Sequence, residues 1–263
     1  MKLLSLVYVF LSVQLVTAQV DAVKSDVYNW EDLAIKQING GERRNILQGD
    51  TRHFEFIAID GFALNPKASQ ISSSNEDLEE LIIVREGEFK ITLNGKSQSL
   101  KSGGVALISP GVSHQLENTG KDAGVYYVLR FKSKTTMDKE RGQKAGGSAV
   151  VNWDDVAFNE SETGGRKQFF DRPTTALSRL EMHTTKLNAG LNSHAPHTHP
   201  EEEVVLLLRG EAEMQIGDKH TKVLPGGLIF LDSDIPHAIT NTGTTPCEYF
   251  AFSMRPFVKG SKE

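Results

Sequence analysis

Glu201-Glu202-Glu203-Val204-Val205-Leu206-Leu207-Leu208-Arg209-Gly210 is answered 123 residues earlier by Leu78-Glu79-Glu80-Leu81-Ile82-Ile83-Val84-Arg85-Glu86-Gly87. Each stretch holds a short apolar run that ends near a glycine, the pattern of a buried strand. The same offset carries the whole chain onto itself without a gap. Asn29-Trp30-Glu31-Asp32 falls on Asn152-Trp153-Asp154-Asp155, Gly103-Gly104 on Gly226-Gly227, and Asn118-Thr119-Gly120 on Asn241-Thr242-Gly243. An ordered series of matches at one offset marks an internal duplication. The chain therefore reads as two versions of one domain.

Each version reads as all-β. Phe89-Lys90-Ile91-Thr92-Leu93 alternates apolar and polar residues and meets Asn94-Gly95, a hairpin-turn dipeptide. Glu213 to Asp218 repeats the pattern in the second copy. Val105 to Ile108 and Leu228 to Leu231 follow the paired glycines as further strands. Short strands with regular turns predict a sandwich or barrel. Trp30 to Gln37 is the one modest helix candidate, with a weaker counterpart after Trp153.

Chemistry concentrates in His197-Thr198-His199-Pro200-Glu201-Glu202-Glu203 and in His237. Side chains two and four positions apart share a face of an extended strand. Strand geometry would thus aim His197, His199 and Glu203 one way, with His237 arriving from a neighbouring strand. Three imidazoles and a carboxylate suit one divalent metal, Mn, Fe, Ni or Zn. Glu203 is the expected carboxylate because Glu80 is its repeat partner; Glu201 and Glu202 are expected at the rim or surface. His183 and His194 are candidates for proton transfer near the metal, and Asp232 and Asp234 for binding a hydroxylated substrate or orienting an imidazole, if they are not simply turn residues.

Gly190, His197, His199, Glu203 and Gly210 resemble the first motif of the cupin superfamily, with the gap after Gly190 about one residue longer than usual. Gly226, His237 and Asn241 resemble the second, although Asp232 and Asp234 stand where that motif usually has Pro and Gly. In the first half, Glu80, Gly87, Gly104, Pro110, His114 and Asn118 match. Ser74 and Glu76 replace the two motif histidines. The resemblance implies a bicupin: two tandem double-stranded β-helix, or jelly-roll, barrels. It implies a metal site in the mouth of the second barrel, with open coordination positions. The first barrel is expected to be degenerate, with Glu76, Glu80 and His114 as an alternative, carboxylate-rich site.

The expected boundaries are a signal peptide over 1–18, an N-terminal cupin domain over 19–131, a solvated linker over 132–149 and a C-terminal cupin domain over 150–263. Lys2, the apolar run Leu3 to Val16 and the small residues before the Ala18 cleavage point predict export to the periplasm or the exterior. One cysteine, Cys247, excludes an internal disulfide and reads as a small buried hydrophobe. A net charge of -5 without a basic cluster argues against nucleic acid. No later segment is long and apolar enough to span a membrane. A monomer or homodimer acting on a small-molecule substrate is expected.

The leading functional expectation is a metalloenzyme doing elimination, isomerisation or hydrolysis on a sugar-derived or hydroxy acid, as in polysaccharide utilisation. The alternatives are an oxidative enzyme of dioxygenase or oxalate type, and a non-catalytic small-molecule or sugar binding protein.

Overall fold

The computed structural model describes residues 22–72 and 75–257. The expected signal peptide, residues 1–18, and Ser74 lie outside the described residues. Nearly every element is a β-strand, and every pairing is antiparallel. Among the described residues there are two seven-stranded sheets, each with six strands from one half and one from the other, and two smaller sheets, of four strands in the first half and three in the second.

The apolar runs that announce the duplication lie near the centre of the large sheets. Glu79–Glu86 pairs with Val105–Ile108 and Gly124–Ser133, and Glu202–Arg209 pairs with Leu228–Leu231 and Cys247–Arg255. Alternate residues of these strands enter different cores. Val204 and Leu206 join a cluster shared by both halves, while Val205 and Leu207 fill the interior of the second barrel. Leu81 and Ile83 face the shared cluster, and Ile82 and Val84 fill the first barrel. A strand buried on both faces needs no polar residue in its repeat, so the run is continuously apolar. The two large sheets therefore pack back to back, with the smaller sheets outside.

Two short strands cross between the halves. Asp26–Tyr28 pairs with Leu228–Leu231 at the edge of the second half's large sheet, and Ala149–Val151 pairs with Val105–Ile108 at the corresponding edge of the first. The two are one repeat apart, so the exchange is reciprocal.

The helix expected over Trp30 to Gln37 is absent. Trp30–Asp32 forms one 3-10 turn, and Ile35–Ile38 is a strand paired with Gly41–Gly49. Tertiary packing decides the local structure: the buried Trp30 ring meets Tyr127 edge-on at 5.5 Å and lies over Gly61, where a Cβ would come within 2.3 Å of it. Trp153–Asp155 is the matching turn in the second half.

Residues 132–149 are also more structured than a solvated linker. Asp138 caps a helix, Lys139–Lys144, by accepting from the Arg141 amide at 2.9 Å. Arg141 donates to the Thr174 and Thr175 carbonyls, and Gly142 abuts Thr175 so closely that a Cβ would sit 2.1 Å from its hydroxyl. The connection is thereby docked onto the second half.

Candidate metal centre

The strand bearing Glu203 begins only at Glu202, so His197 and His199 precede it on a loop. Simple strand alternation is therefore not what gathers them. His197 is held by a two-way backbone bridge to His237: its amide donates to the His237 carbonyl at 3.2 Å, and its carbonyl accepts the His237 amide at 3.0 Å. The His199 carbonyl accepts the Asp234 amide at 2.8 Å. Glu203 emerges from the first turns of its strand on the barrel-interior face.

The result is a tight cluster. One ring nitrogen from each of His197, His199 and His237 lies within 4.8 Å of the others. The Glu203 carboxylate stands 2.8 Å from His199 Nε2 and 3.4 Å from His237 Nε2. Burial opposes charge on Glu203, yet its bond to His199 and the adjacent His237 ring hold the carboxyl down at about 2. The bond to Glu203 raises the His199 ring above its ordinary value, against burial. Burial and the neighbouring His194, His237 and His199 rings depress His197.

The donor set fits a divalent metal. His237 Nδ1 donates to the Ile235 carbonyl at 2.8 Å and His199 Nδ1 to the Glu201 carbonyl at 2.9 Å. With Nδ1 committed to a carbonyl in each ring, Nε2 is the nitrogen left to face an ion in the cluster. His237 Nε2 is buried with no hydrogen-bond partner among the described residues, a costly state that a coordinated ion would relieve. These orienting groups are backbone carbonyls. Asp232 and Asp234 do not supply them: Asp232 accepts the Ser233 amide as a turn residue, and Asp234 pairs with Arg52 at 2.5 Å.

The cluster lines a cavity of about 320 Å³. His183, from the strand Arg179–Leu187, opens onto the same cavity. Its Nδ1 lies 3.1 Å from both oxygens of Glu181. Glu181 is held in turn by Arg166 at 2.7 Å and Gln168 at 2.8 Å. Arg166, Thr163, Thr185 and Ser193 add polar groups to the wall. His194 stands at the mouth, its ring edge-on to His197 at 4.1 Å. Sequence reasoning missed Glu181 and Arg166, although Glu181 lies two residues from His183 on one strand and so shares its face.

Glu201 and Glu202 are not rim charges. Glu201 is buried and paired with Arg255, and Glu202 is wholly buried. Glu202 points away from the barrel, accepting the Thr51 hydroxyl at 2.9 Å and the His53 amide at 3.0 Å. His53 Nε2 also meets the Pro200 carbonyl at 3.0 Å. The segment Thr51 to His53 of the first half thus props the loop that carries His199.

The first half brings together less. Glu80 and His114 are buried 3.7 Å apart, but Glu76 is exposed and paired with Lys139. The three do not form one cluster. Among the described residues, His197, His199 and His237 form the one grouping with metal-holding geometry.

Two stretches of the chain, residues 62–130 and 183–253, match the family model of the cupin domain. The chain belongs to the cupin family. Its two cupin regions fall one in each half of the duplication. Solved structures agree on the fold. A putative glyoxylate-induced protein from Pseudomonas aeruginosa superposes with a TM-score of 0.71 at 17% identity, covering 94% of this chain and 96% of that one. Protein Ylba from E. coli gives 0.69 at 15% identity, covering 93% and 97%. The formate complex of Lactobacillus farciminis oxalate decarboxylase gives 0.68 at 13% identity, covering 89% and 87%. No curated protein matches the chain by sequence.

The shared cupin asparagine has a structural job in both halves. Asn241 Nδ2 donates to the Leu187 and Thr245 carbonyls at 2.8 and 2.9 Å, and its Oδ1 accepts the Gly243 amide. Asn118 makes the equivalent three bonds to Leu64, Asp122 and Gly120.

Proposed function

We propose that this bicupin is a metalloenzyme that performs non-oxidative proton-transfer chemistry on a small hydroxylated carboxylic acid. His197, His199, Glu203 and His237 would hold one divalent ion, Mn, Fe, Ni or Zn. The observation that carries this reading is His183. It shares a cavity with the three clustered imidazoles, and its Nδ1 is fixed by Glu181. Such an ion, when bound, supplies Lewis acidity toward a carbonyl, hydroxyl or water.

The chain's own residues supply the rest. Glu181 accepts from His183 Nδ1–H, which fixes the tautomer and leaves Nε2 as a base toward the cavity. Arg166 places a guanidinium on the cavity wall, suited to attract a carboxylate. The hydroxyls of Thr163, Thr185 and Ser193 offer partners for substrate hydroxyl groups. That pattern favours sugar-derived and hydroxy acids. The leader-like residues 1–18 support action outside the cytoplasm, where such acids arise from polysaccharide breakdown.

The test is a turnover screen of metal-loaded protein against uronates, small hydroxy acids and oxalate, with dissolved oxygen recorded. Turnover that chelation abolishes, without oxygen consumption, is the expected result. Oxygen consumption would move the protein to the oxidative class. Absence of turnover in every metal-loaded form would leave a binding protein.

A further inference from the structure

The first barrel holds a cavity of about 150 Å³ at the place corresponding to the metal cavity of the second. Its Glu80 and His114 stand where the second barrel has Glu203 and His237. The cation is different. Arg130 lies one repeat before Ser253, and both residues line their respective cavities. Arg130 is directly across from Glu80 in the strand pairing, as Ser253 is from Glu203.

The hydrogen bonding around Arg130 is incomplete. Asp60, fully buried, is already met by Arg43 through two parallel bonds of 2.9 Å, and Asn45 donates to it at 3.2 Å. Arg130 also reaches Asp60, so two guanidinium groups share one carboxylate. Arg130 Nε remains buried with no hydrogen-bond partner among the described residues. Burial raises the Glu80 carboxyl, with Arg130 opposing, and burial lowers the His114 ring. Glu80 also stands across from Arg130 in the strand pair, so what sets Arg130 apart is its unsatisfied Nε–H facing a cavity. The rest of the wall is largely apolar, with Phe62 and Tyr126 stacked at 5.0 Å.

We propose that the first barrel is a metal-independent binding site for a short aliphatic monocarboxylate, whose carboxylate is received by Arg130 and whose tail lies against Phe62 and Tyr126. A cavity of this size admits a body of roughly five to seven heavy atoms, well under the volume of a drug-sized site. A guanidinium satisfies a carboxylate with paired donors, and an apolar wall disfavours a hydroxylated chain. The second barrel, with its hydroxyl-bearing wall and histidine cluster, has the opposite preference. This inference does not depend on the function proposed for that site.

Calorimetric titration of the purified protein with sodium isobutyrate, against sodium chloride as the ionic control, tests it. The expected result is saturable binding of one ligand per chain, unchanged by chelator and unchanged in His237→Ala. Arg130→Gln, which keeps a donor toward Asp60 but removes the charge, should weaken binding at least tenfold, and Arg130→Lys should recover part of it. If Arg130→Gln fails to fold, Val128→Met fills the cavity without removing the cation and should abolish binding. Loss of binding on chelation or in His237→Ala would assign the ligand to the second barrel and overturn the proposal. So would unaltered binding in a folded Arg130→Gln, or no saturable heat up to 50 mM ligand, a concentration at which even ~10 mM affinity, about -3 kcal/mol, is visible.

Discussion

Glu79 and Glu202 stand one repeat apart, and each carries its carboxylate into the opposite half of the molecule. Glu79 accepts the Thr174 hydroxyl at 2.6 Å and the amides of Thr175 and Ala176 at 3.2 and 3.1 Å. Glu202 accepts the hydroxyl of Thr51, the repeat partner of Thr174, and the His53 amide. In both loops the threonine hydroxyl also accepts an amide three residues on, from Phe54 or Leu177. The contact is reciprocal, like the interface of a twofold dimer.

Removing either carboxylate strands buried donors. Glu79→Ala is expected to cost on the order of 3 kcal/mol in denaturant unfolding. Glu79→Gln, which retains an acceptor oxygen, should cost less. Equal losses for the two variants would show that the carboxylate is not what satisfies the loop.

The metal cluster predicts a sharp asymmetry between the barrels. Elemental analysis of protein purified without chelator should find about one divalent ion per chain. His197→Ala and His237→Ala should each lower that content at least tenfold, whereas His114→Ala should leave it unchanged. Two ions per chain, or loss in His114→Ala alone, would place a site in the first barrel.

His183 and Glu181 are predicted to act in turnover and not in metal retention. His183→Ala should reduce kcat by roughly 10²–10⁴-fold, the usual span for general acid–base catalysis, with metal content intact. Glu181→Gln should lower kcat less, because the ring keeps its place but loses its fixed tautomer. A parallel fall in metal content would reassign His183 to coordination.

Gly61→Ala tests why Trp30 opens a single turn and not a helix. The added Cβ would lie 2.3 Å from the indole, which cannot move within the shared core. A loss of about 1–3 kcal/mol is expected, measured by the shift in denaturation midpoint.

The duplication, the strands and the histidine cluster were all legible in the sequence, because each leaves a local mark: an offset, an alternation, a spacing. What was not legible depends on contacts between distant segments. The apolar run from Val204 to Leu208 signals a buried strand, but nothing in it says that the face opposite Glu203 meets another barrel. Glu202 therefore read as a surface charge and proved to be an anchor. Trp30 to Gln37 read as a helix because propensity cannot see Gly61 or the pairing of Ile35–Ile38. The alternation rule put His197, His199 and Glu203 together for the wrong geometric reason: a backbone bridge to His237 gathers them before the strand starts. Arg130 gave no signal, since an arginine in place of a serine means something only once both are seen lining cavities.

The crossed strands have a wider consequence. Asp26–Tyr28 and Ala149–Val151 each complete the other half's sheet, so neither half is whole when cut free. A homodimer of single barrels could make the same exchange, but its two cavities would have to be identical, since one gene would specify both. A peptide connection between the partners lifts that constraint. Tethering lets one lumen keep its imidazoles while its twin takes a guanidinium, with the framework between them still symmetric. The molecule is then a division of labour inside what is geometrically a pair of equals.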